Sequence, residues 1–161
     1  MICKGIQIFR IPFITVILLH LIVIQSCSNN KIHTIYTSEK TKLSENVEIE
    51  QLLNNPEAYK GKIIETIGLY YTGFEESAIY INNGGVRRKE SKQALWITFN
   101  NEYYPLIDSK TGVNLLSSYQ TIEKINGKKI KVKGKFNPTS KGHLSMFFGS
   151  IENVFYVEVM N

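Results

Sequence analysis

Residues 61–70 have the sequence GKIIETIGLY, and residues 127–136 have the sequence GKKIKVKGKF. Both stretches follow the pattern G-K-x5-G-x-aromatic, in which the second glycine comes seven residues after the first. They are rich in β-branched residues or alternate between apolar and polar residues, which predicts strands. A glycine inside a strand marks a bulge or a sharp bend. The pattern therefore predicts two bent strands of the kind that a small barrel needs in order to close.

The segments around this pair predict the remaining elements. Residues 77–82 (SAIYIN), 93–99 (QALWITF) and 151–160 (IENVFYVEVM) have the composition of strands. Residues 47–56 predict a short amphipathic helix that ends near a proline, and residues 113–124 carry apolar residues at helical spacing. The chain thus has three strands, a helix and two strands, preceded by a short helix.

This order is that of the OB-fold. We therefore predict that residues 47–161 form one domain, mainly β with one or two short helices. Its architecture is a small five-stranded OB-like Greek-key barrel (β-β-β-α-β-β). The domain also resembles a group of uncharacterised bacterial proteins, a resemblance that implies the fold but carries no function. The resemblance rests on residues 55–62, 74–75, 78–80, 95–97, 127–128, 134–136, 142–144 and 149–154.

The N-terminal stretch has the layout of an export signal. Lys4 and Arg10 precede 14 mostly apolar residues, 11–24, and no acidic residue lies among them. A spanning helix needs about 20 apolar residues, and His20 interrupts this shorter run. A secretory signal is therefore favoured over a transmembrane anchor.

The signal ends in Ile24-Gln25-Ser26-Cys27, which resembles the lipobox of bacterial lipoproteins, although Gln25 departs from the commonest residue at its position. The resemblance implies that residues 1–26 are cleaved and that Cys27 is lipidated. Cys3 leaves with the signal, so the mature chain has no second cysteine for a disulfide. We expect a protein of the bacterial cell envelope, lipid-anchored to a membrane, with its domain outside the cytoplasm.

Residues 27–46 are rich in Ser, Thr, Asn and Lys, which predicts an acylated flexible tether that lifts the domain clear of the lipid. We expect His33 and Tyr36 within it to be solvated. The whole chain has 19 basic and 14 acidic residues, and the loss of residues 1–26 leaves 17 basic residues. This mild excess gives little support for a polyanion partner.

Lysines alternate with apolar residues along 129–136, so Lys129, Lys131 and Lys133 share one face of the predicted strand. One interpretation is a basic stripe for anionic lipid, acidic glycan or nucleic acid. The favoured interpretation is a solvated face that also protects the strand edge from pairing. Nucleic acid is the least favoured of these ligands for an exported chain.

The remaining candidate binding residues are His143, Glu75, Trp96 and Tyr80. We expect His143 to be a structural histidine bonded to a backbone carbonyl, with Glu75 as a candidate partner. Trp96 and Tyr80 belong to an aromatic set that predicts core packing or, less favoured, a stacking platform. A further candidate binding segment is the Gly-rich basic loop 82–91, which contains Arg87 and Arg88.

Asp108 is the only aspartate, and the predicted domain has one histidine and no cysteine. No phosphate-binding glycine loop, nucleophile motif or metal-ligand cluster occurs, so we predict no catalytic residues, no metal and no cofactor. The favoured function is a non-catalytic binding or assembly module with an envelope protein or anionic ligand as partner. One alternative is an inhibitor or immunity-type protein that blocks an envelope enzyme through Arg87, Arg88 and Lys89. The other, less favoured, is a hydrolase that uses His143 with a glutamate.

Overall fold

The computed structural model describes residues 33–40, 42–83, 86–87 and 90–160. The helices within these residues are α1 (Ile49–Asn54), α2 (Pro56–Tyr59) and α3 (Tyr119–Glu123). The strands are β1 (Thr34–Thr37), β2 (Glu45–Asn46), β3 (Ile63–Gly73), β4 (Glu76–Tyr80), β5 (Asn82–Asn83), β6 (Val86–Arg87), β7 (Ala94–Thr98), β8 (Ile107–Asp108), β9 (Lys129–Asn137) and β10 (Gly149–Met160). The prediction of a mainly β fold with a few short helices is confirmed. None of the helices in this part of the chain is long and apolar enough to cross a bilayer.

Five strands form a cycle of hydrogen-bonded neighbours. β3 pairs with β4, β4 with β7, β7 with β10, β10 with β9, and β9 again with β3. The β7–β10 pair is parallel and the other four pairs are antiparallel. α3 lies between β7 and β9 in the chain, and the short strand β8 precedes it. β1, β2 and β8 extend the sheet to eight strands.

The two glycine-containing stretches pair with each other. The backbone N–H of Gly61 donates to the carbonyl of Phe136 at 2.9 Å, and the N–H of Gly127 donates to the carbonyl of Tyr70 at 2.8 Å. Each G-K start thus lies beside the aromatic end of the other stretch, and the β3–β9 ladder between them is antiparallel. Gly61 and Gly127 both have positive φ, 76° and 69°, which glycine adopts without steric cost.

The inner glycine of each stretch lets a neighbouring strand approach closely. A Cβ on Gly68 would lie 2.4 Å from the carbonyl oxygen of Tyr80 in β4. A Cβ on Gly134 would lie 2.7 Å from Cγ2 of Ile151 in β10. The predicted strand glycines therefore mark the two points where the paired strands β3 and β9 meet their outer neighbours, as a strand glycine commonly does.

The core lies between the strands and α1. Tyr70 and Phe136, the aromatic ends of the two stretches, are fully buried, as is Leu52 of α1. The N–H of Glu48 donates to the side chain of Gln51 at 3.0 Å, which holds the start of α1. Burial of side chains of this size stabilises a fold by about 1.5–3 kcal/mol each. The short helix thus packs as a cover on the apolar interior.

The prediction of a flexible tether over residues 27–46 is wrong for residues 34–37. Thr34–Thr37 form β1, which pairs with β10 on one side and with β8 on the other. Tyr36 is only 6% exposed and belongs to the core, so the expectation that it is solvated is also wrong. The segment Thr34–Thr37 is too short to show a clear alternation of apolar and polar residues. It forms a strand because the edge of β10 supplies the hydrogen bonds that stabilise it.

The helix predicted over residues 113–124 is confined to Tyr119–Glu123. The preceding backbone pairs elsewhere, because the N–H of Leu115 donates to the carbonyl of Leu106 at 2.8 Å and Asn114 forms a bridge with Ile107. The hydroxyl of Ser118 then accepts the N–H of Thr121 and begins the helix. Tertiary pairing thus overrides helical spacing in the first half of this segment.

The close approach at Gly68 makes a specific prediction. Gly68→Ala should lower the free energy of unfolding by about 2 kcal/mol or more, because the new methyl group overlaps the backbone of β4. Gly73→Ala, at the open end of the same strand, has no neighbour within 4 Å and should stay within about 0.5 kcal/mol of the wild type. Urea unfolding followed by the fluorescence of the single tryptophan measures both. Equal stability of the two variants would contradict the packing described for Gly68.

Candidate functional site

Two connections meet at one surface of the domain. One is the turn between β3 and β4, which contains Phe74 and Glu75, and the other is the segment 138–148 between β9 and β10. Gly142 holds the second segment against β7, since its φ is 65° and a Cβ there would lie 2.6 Å from the ring of Trp96. The N–H of Phe147 donates to the carbonyl of Lys141 at 3.1 Å and closes the loop. The loop geometry therefore depends on glycine at position 142.

His143 and Glu75 face each other across this junction. Nε2 of His143 lies 3.3 Å from Oε2 of Glu75, with the histidine side chain about one-third exposed and the glutamate about half exposed. Nε2 itself is buried and lacks the alignment of a hydrogen bond. The prediction that Glu75 is the partner of His143 is confirmed. The expectation that a backbone carbonyl binds this histidine is wrong for Nε2, because the β3–β4 turn brings the carboxylate there instead.

Tyr80 and Trp96 support the junction from below. Tyr80 is 2% exposed, and its hydroxyl donates to Oε1 of Glu76 at 2.7 Å. Trp96 is half-buried and packs on Phe147, with ring centroids 5.1 Å apart. The interpretation of both residues as core packing fits these contacts better than a stacking platform does, since neither ring is freely exposed.

Exposed apolar side chains lie on both connections. Phe74 is 93% exposed, Leu144 is 77% exposed and Met146 is 49% exposed. We call these three residues the apolar rim. Phe74 and Met146 of this rim line a cavity of about 270 Å³ together with the His143–Glu75 pair. Leu144 follows His143 directly in the chain. The residues that line the cavity are Phe74, Glu75, Glu76, Tyr80, Ser91, His143, Met146 and Phe147.

The backbone is strained at Leu144 of the apolar rim and at two residues next to the rim, Glu75 and Ser145. Glu75, Leu144 and Ser145 have φ values of 58°, 48° and 58°, in the left-handed region that side chains other than glycine rarely adopt. Such a conformation costs about 1–2 kcal/mol per residue. Strain of this kind persists only where the surrounding structure imposes it, and it concentrates at functional sites. Leu144 therefore combines an exposed apolar side chain with a strained backbone.

The sequence predicts candidates at His143, Glu75, Tyr80 and Trp96 of this surface, but it does not predict the apolar rim. A signal was present, since Phe74 follows a glycine in a turn and Leu144 closely follows Gly142 in a loop. Large apolar residues beside turn glycines have no core to fill there. Periodicity could not reveal them, because neither connection is a helix or a regular strand.

The lysine row on β9 is divided. Lys133 lies 2.8 Å from Oε2 of Glu65, and Lys131 lies 3.3 Å from Oε2 of Glu158 and 3.7 Å from Oε1 of Glu65. Lys133 also lies 4.8 Å from the centre of the Tyr156 ring. Lys131 and Lys133 are therefore neutralised by carboxylates of β3 and β10, whereas Lys129 is exposed.

Glu158 is the centre of this polar cluster. It contacts Nδ1 of His33, the amine of Lys131 and the hydroxyl of Tyr156, which donates at 3.0 Å. Burial acts to raise the pKa of Glu158, but the hydrogen bonds from these partners outweigh it and hold the pKa below its ordinary value. Burial and the bond to Glu158 raise the pKa of Tyr156 to about 12. His33, expected to be solvated, is instead part of this cluster.

Three other predicted candidates are Arg87, Arg88 and Cys27. Arg87 lies in β6, whose backbone pairs with β5. Arg88 and Cys27 lie outside the described residues, as do residues 1–26. Among the residues that are described, no group of three or more His, Cys, Asp or Glu side chains is placed to hold a metal ion.

Ser91 lines the same cavity as His143. In a serine hydrolase, Nε2 of the histidine takes the serine proton while a carboxylate orients Nδ1. Here Nε2 faces the carboxylate of Glu75. This arrangement gives the histidine a charge partner, and the contact between base and nucleophile that activates a hydroxyl is missing from the described geometry.

A second concave surface is not predicted by the sequence, because residues 27–46 have the composition of a flexible tether. It is a groove of about 550 Å³ between the end of β1 and the segment before β8. Tyr103 and Ile107 lie in it, partly exposed, and the amine of Lys40 lies 5.7 Å from the centre of the Tyr103 ring. The groove depends on β1 being part of the sheet.

Comparison of this chain with protein-family models, with curated proteins and with solved structures finds no match.

The Glu158 cluster predicts a pH dependence. A carboxyl group whose pKa is lowered by folding stabilises the protein above its ordinary value, 4.5, and this contribution disappears as the pH falls through the lowered pKa. Glu158→Gln should therefore cost about 1–2 kcal/mol at pH 7 and should flatten the loss of stability below pH 4.5. Urea unfolding at pH 7 and at acidic pH measures both effects.

Glu57→Gln is the matched control for that experiment. Glu57 is exposed and pairs only with Lys60, at 3.6 Å. Exposed pairs contribute about 0–1 kcal/mol, so this variant should keep the pH profile of the wild type. A Glu158→Gln profile that coincides with the wild type would contradict the role of the cluster.

Proposed function

We propose that this chain is a lipoprotein of the bacterial cell envelope whose OB-like domain binds a protein partner through the apolar rim. The domain acts as a binding or assembly module and performs no catalysis. Cys27 carries the lipid that holds it at a membrane. The observation that carries the proposal is the apolar rim itself, since Leu144 is exposed and held in a strained conformation.

The strand pairing supports an OB-like barrel. The cycle β3-β4-β7-β10-β9 contains five strands, a parallel β7–β10 pair and a helix between its third and fourth strands in sequence. In an OB-fold, the loops after the first strand and between the last two strands flank the binding face. The turn at Phe74 and the loop at Leu144 correspond to these two connections. This correspondence supports the apolar rim as the binding surface of the domain.

Physical chemistry favours a protein partner at this surface. Exposure of Phe74 and Leu144 contributes nothing to folding, whereas an apolar surface that becomes buried by a partner stabilises the complex by about 25 cal/mol per Å². Glu75 and Glu76 line the cavity beside the rim, and their carboxylates repel a polyanion. Phe and Met are enriched at protein interfaces, and the mixture of apolar rim and polar pair is typical of them.

The membrane half of the proposal has a direct test. Cys27→Ala should move the protein from the membrane fraction to the soluble fraction, because the thiol that accepts the lipid is gone. The mass of the N-terminal peptide of the wild type should show a lipidated Cys27 as its first residue. Retention of the Cys27→Ala variant in the membrane fraction would contradict the anchor.

The binding half has a matched pair of positions. A photo-crosslinking side chain at position 144 of the full-length protein should yield a discrete adduct in cells that produce it. The same side chain at position 43 should yield none, since Leu43 is 99% exposed but lies apart from the cavity. Phe74→Ser should weaken the adduct at 144 several-fold, because truncation of an interface anchor commonly costs 1 kcal/mol or more.

Two results would contradict the proposal. Equal adducts at positions 43 and 144, or an adduct at 144 that Phe74→Ser leaves unchanged, would show that the apolar rim is not a binding surface. His143→Ala should change the adduct little, since His143 faces Glu75 and is two-thirds buried.

A further inference from the structure

The distance between the proposed anchor and the folded domain is short. His33 is the first described residue and contacts Glu158, and β1 begins at Thr34. Only residues 28–32 separate His33 from Cys27. A fully extended chain spans at most about 3.3–3.6 Å per residue, so Cys27 lies no more than about 20 Å from His33. This limit follows from chain length alone and replaces the long tether expected from the sequence.

We propose that the surface around the start of β1 lies against the anionic face of the lipid bilayer that holds Cys27. This inference rests on the proposed acylation of Cys27. A tether of five residues keeps the start of β1 within about 20 Å of the lipidated residue. It therefore selects which side of the domain faces the lipid.

The structure identifies the side chains of this surface. Thr34 pairs with Val159 of β10, and the next residue, Met160, pairs with Lys129 of β9. Adjacent strands are about 4.8 Å apart, so the backbone of Lys129 lies about 10 Å from the start of β1. Lys128 precedes Lys129, and both are exposed. Two lysines thus lie at the edge where the anchored chain enters the sheet.

Charge distinguishes these lysines from their neighbours. Lys131 and Lys133 are paired with Glu65 and Glu158. Within the described part of the chain, no ion pair joins Lys128 or Lys129 to a carboxylate. Unpaired lysines attract an anionic bilayer surface, and the attraction extends about one Debye length, about 10 Å at 0.1 M salt. The short tether allows both lysines to come within that distance of the headgroups.

Lysine footprinting of the full acylated protein tests the proposal. The protein is placed in vesicles of phosphatidylcholine with 30% phosphatidylglycerol, and acetylation by a water-soluble ester is followed by mass spectrometry. Lys128 and Lys129 should react about fivefold more slowly than in detergent, the factor that corresponds to one lysine at an anionic surface. Lys92, exposed before β7, should react at the same rate in both.

Two further arms separate the causes. In vesicles of phosphatidylcholine alone, the protection of Lys128 and Lys129 should largely disappear, because the anionic charge is absent. Insertion of 20 Gly/Ser residues between Lys31 and Ile32 should also return their rates toward that of Lys92, since such a linker spans roughly 25 Å on average. Protection unchanged by both arms would overturn the proposal, as would equal rates at Lys92 and Lys129 in anionic vesicles.

Failure of the anchor is read separately from failure of the orientation. The N-terminal peptide in the same mass spectra reports whether Cys27 carries lipid. If it does not, Cys27 of the mature chain is coupled through its thiol to a maleimide lipid, which recreates the same tether. Protection in the coupled sample supports the orientation even when the natural lipid is absent, and lack of protection there overturns it.

Discussion

The antiparallel pairing of β3 with β9 is the constraint on which the rest of the structure depends. Gly61 and Gly127 come just before the two strands and have a left-handed conformation. Each donates its N–H to the carbonyl of the aromatic residue at the end of the other glycine-containing stretch. Tyr70 and Phe136 are thereby placed in the core. A slip by one residue would turn the alternating side chains of both strands to the wrong face. The register of every neighbouring strand follows from this pair.

β10 connects this pair of strands to the two surfaces that we propose as binding surfaces. Its first half pairs with β7 and its second half with β1, and the ladder to β9 is interrupted between Glu152 and Tyr156, where Asn153 has positive φ. The first half pairs with β7, whose Trp96 lies close to Gly142 in the loop of Leu144. The second half holds β1 and the Glu158 cluster. One bent strand therefore positions the apolar rim and also fixes where the N-terminal chain leaves the domain.

The lysines that alternate along β9 have different surroundings in the structure. Lys131 and Lys133 are neutralised because Glu65 and Glu158 lie on the strands at either side, whereas Lys129 comes before these partners begin. Alternation along β9 placed the lysines on one face, and only the neighbours of β9 decided which remained available to a ligand. A charge pattern within one strand is thus insufficient to identify a binding stripe.

Local chemistry in the sequence determined the longest strands, the mainly β character and the two glycine bends, because alternation and turn glycines act over a few residues. It also contains Cys27 in its lipobox-like setting, which stays a prediction. The tertiary structure decided what depends on distant partners. β1 exists because β10 offers it an edge, the helix over 113–124 is shortened because Leu115 pairs with Leu106, and His143 faces Glu75 because two connections meet. These outcomes rest on contacts between residues far apart in the chain, which no local pattern encodes.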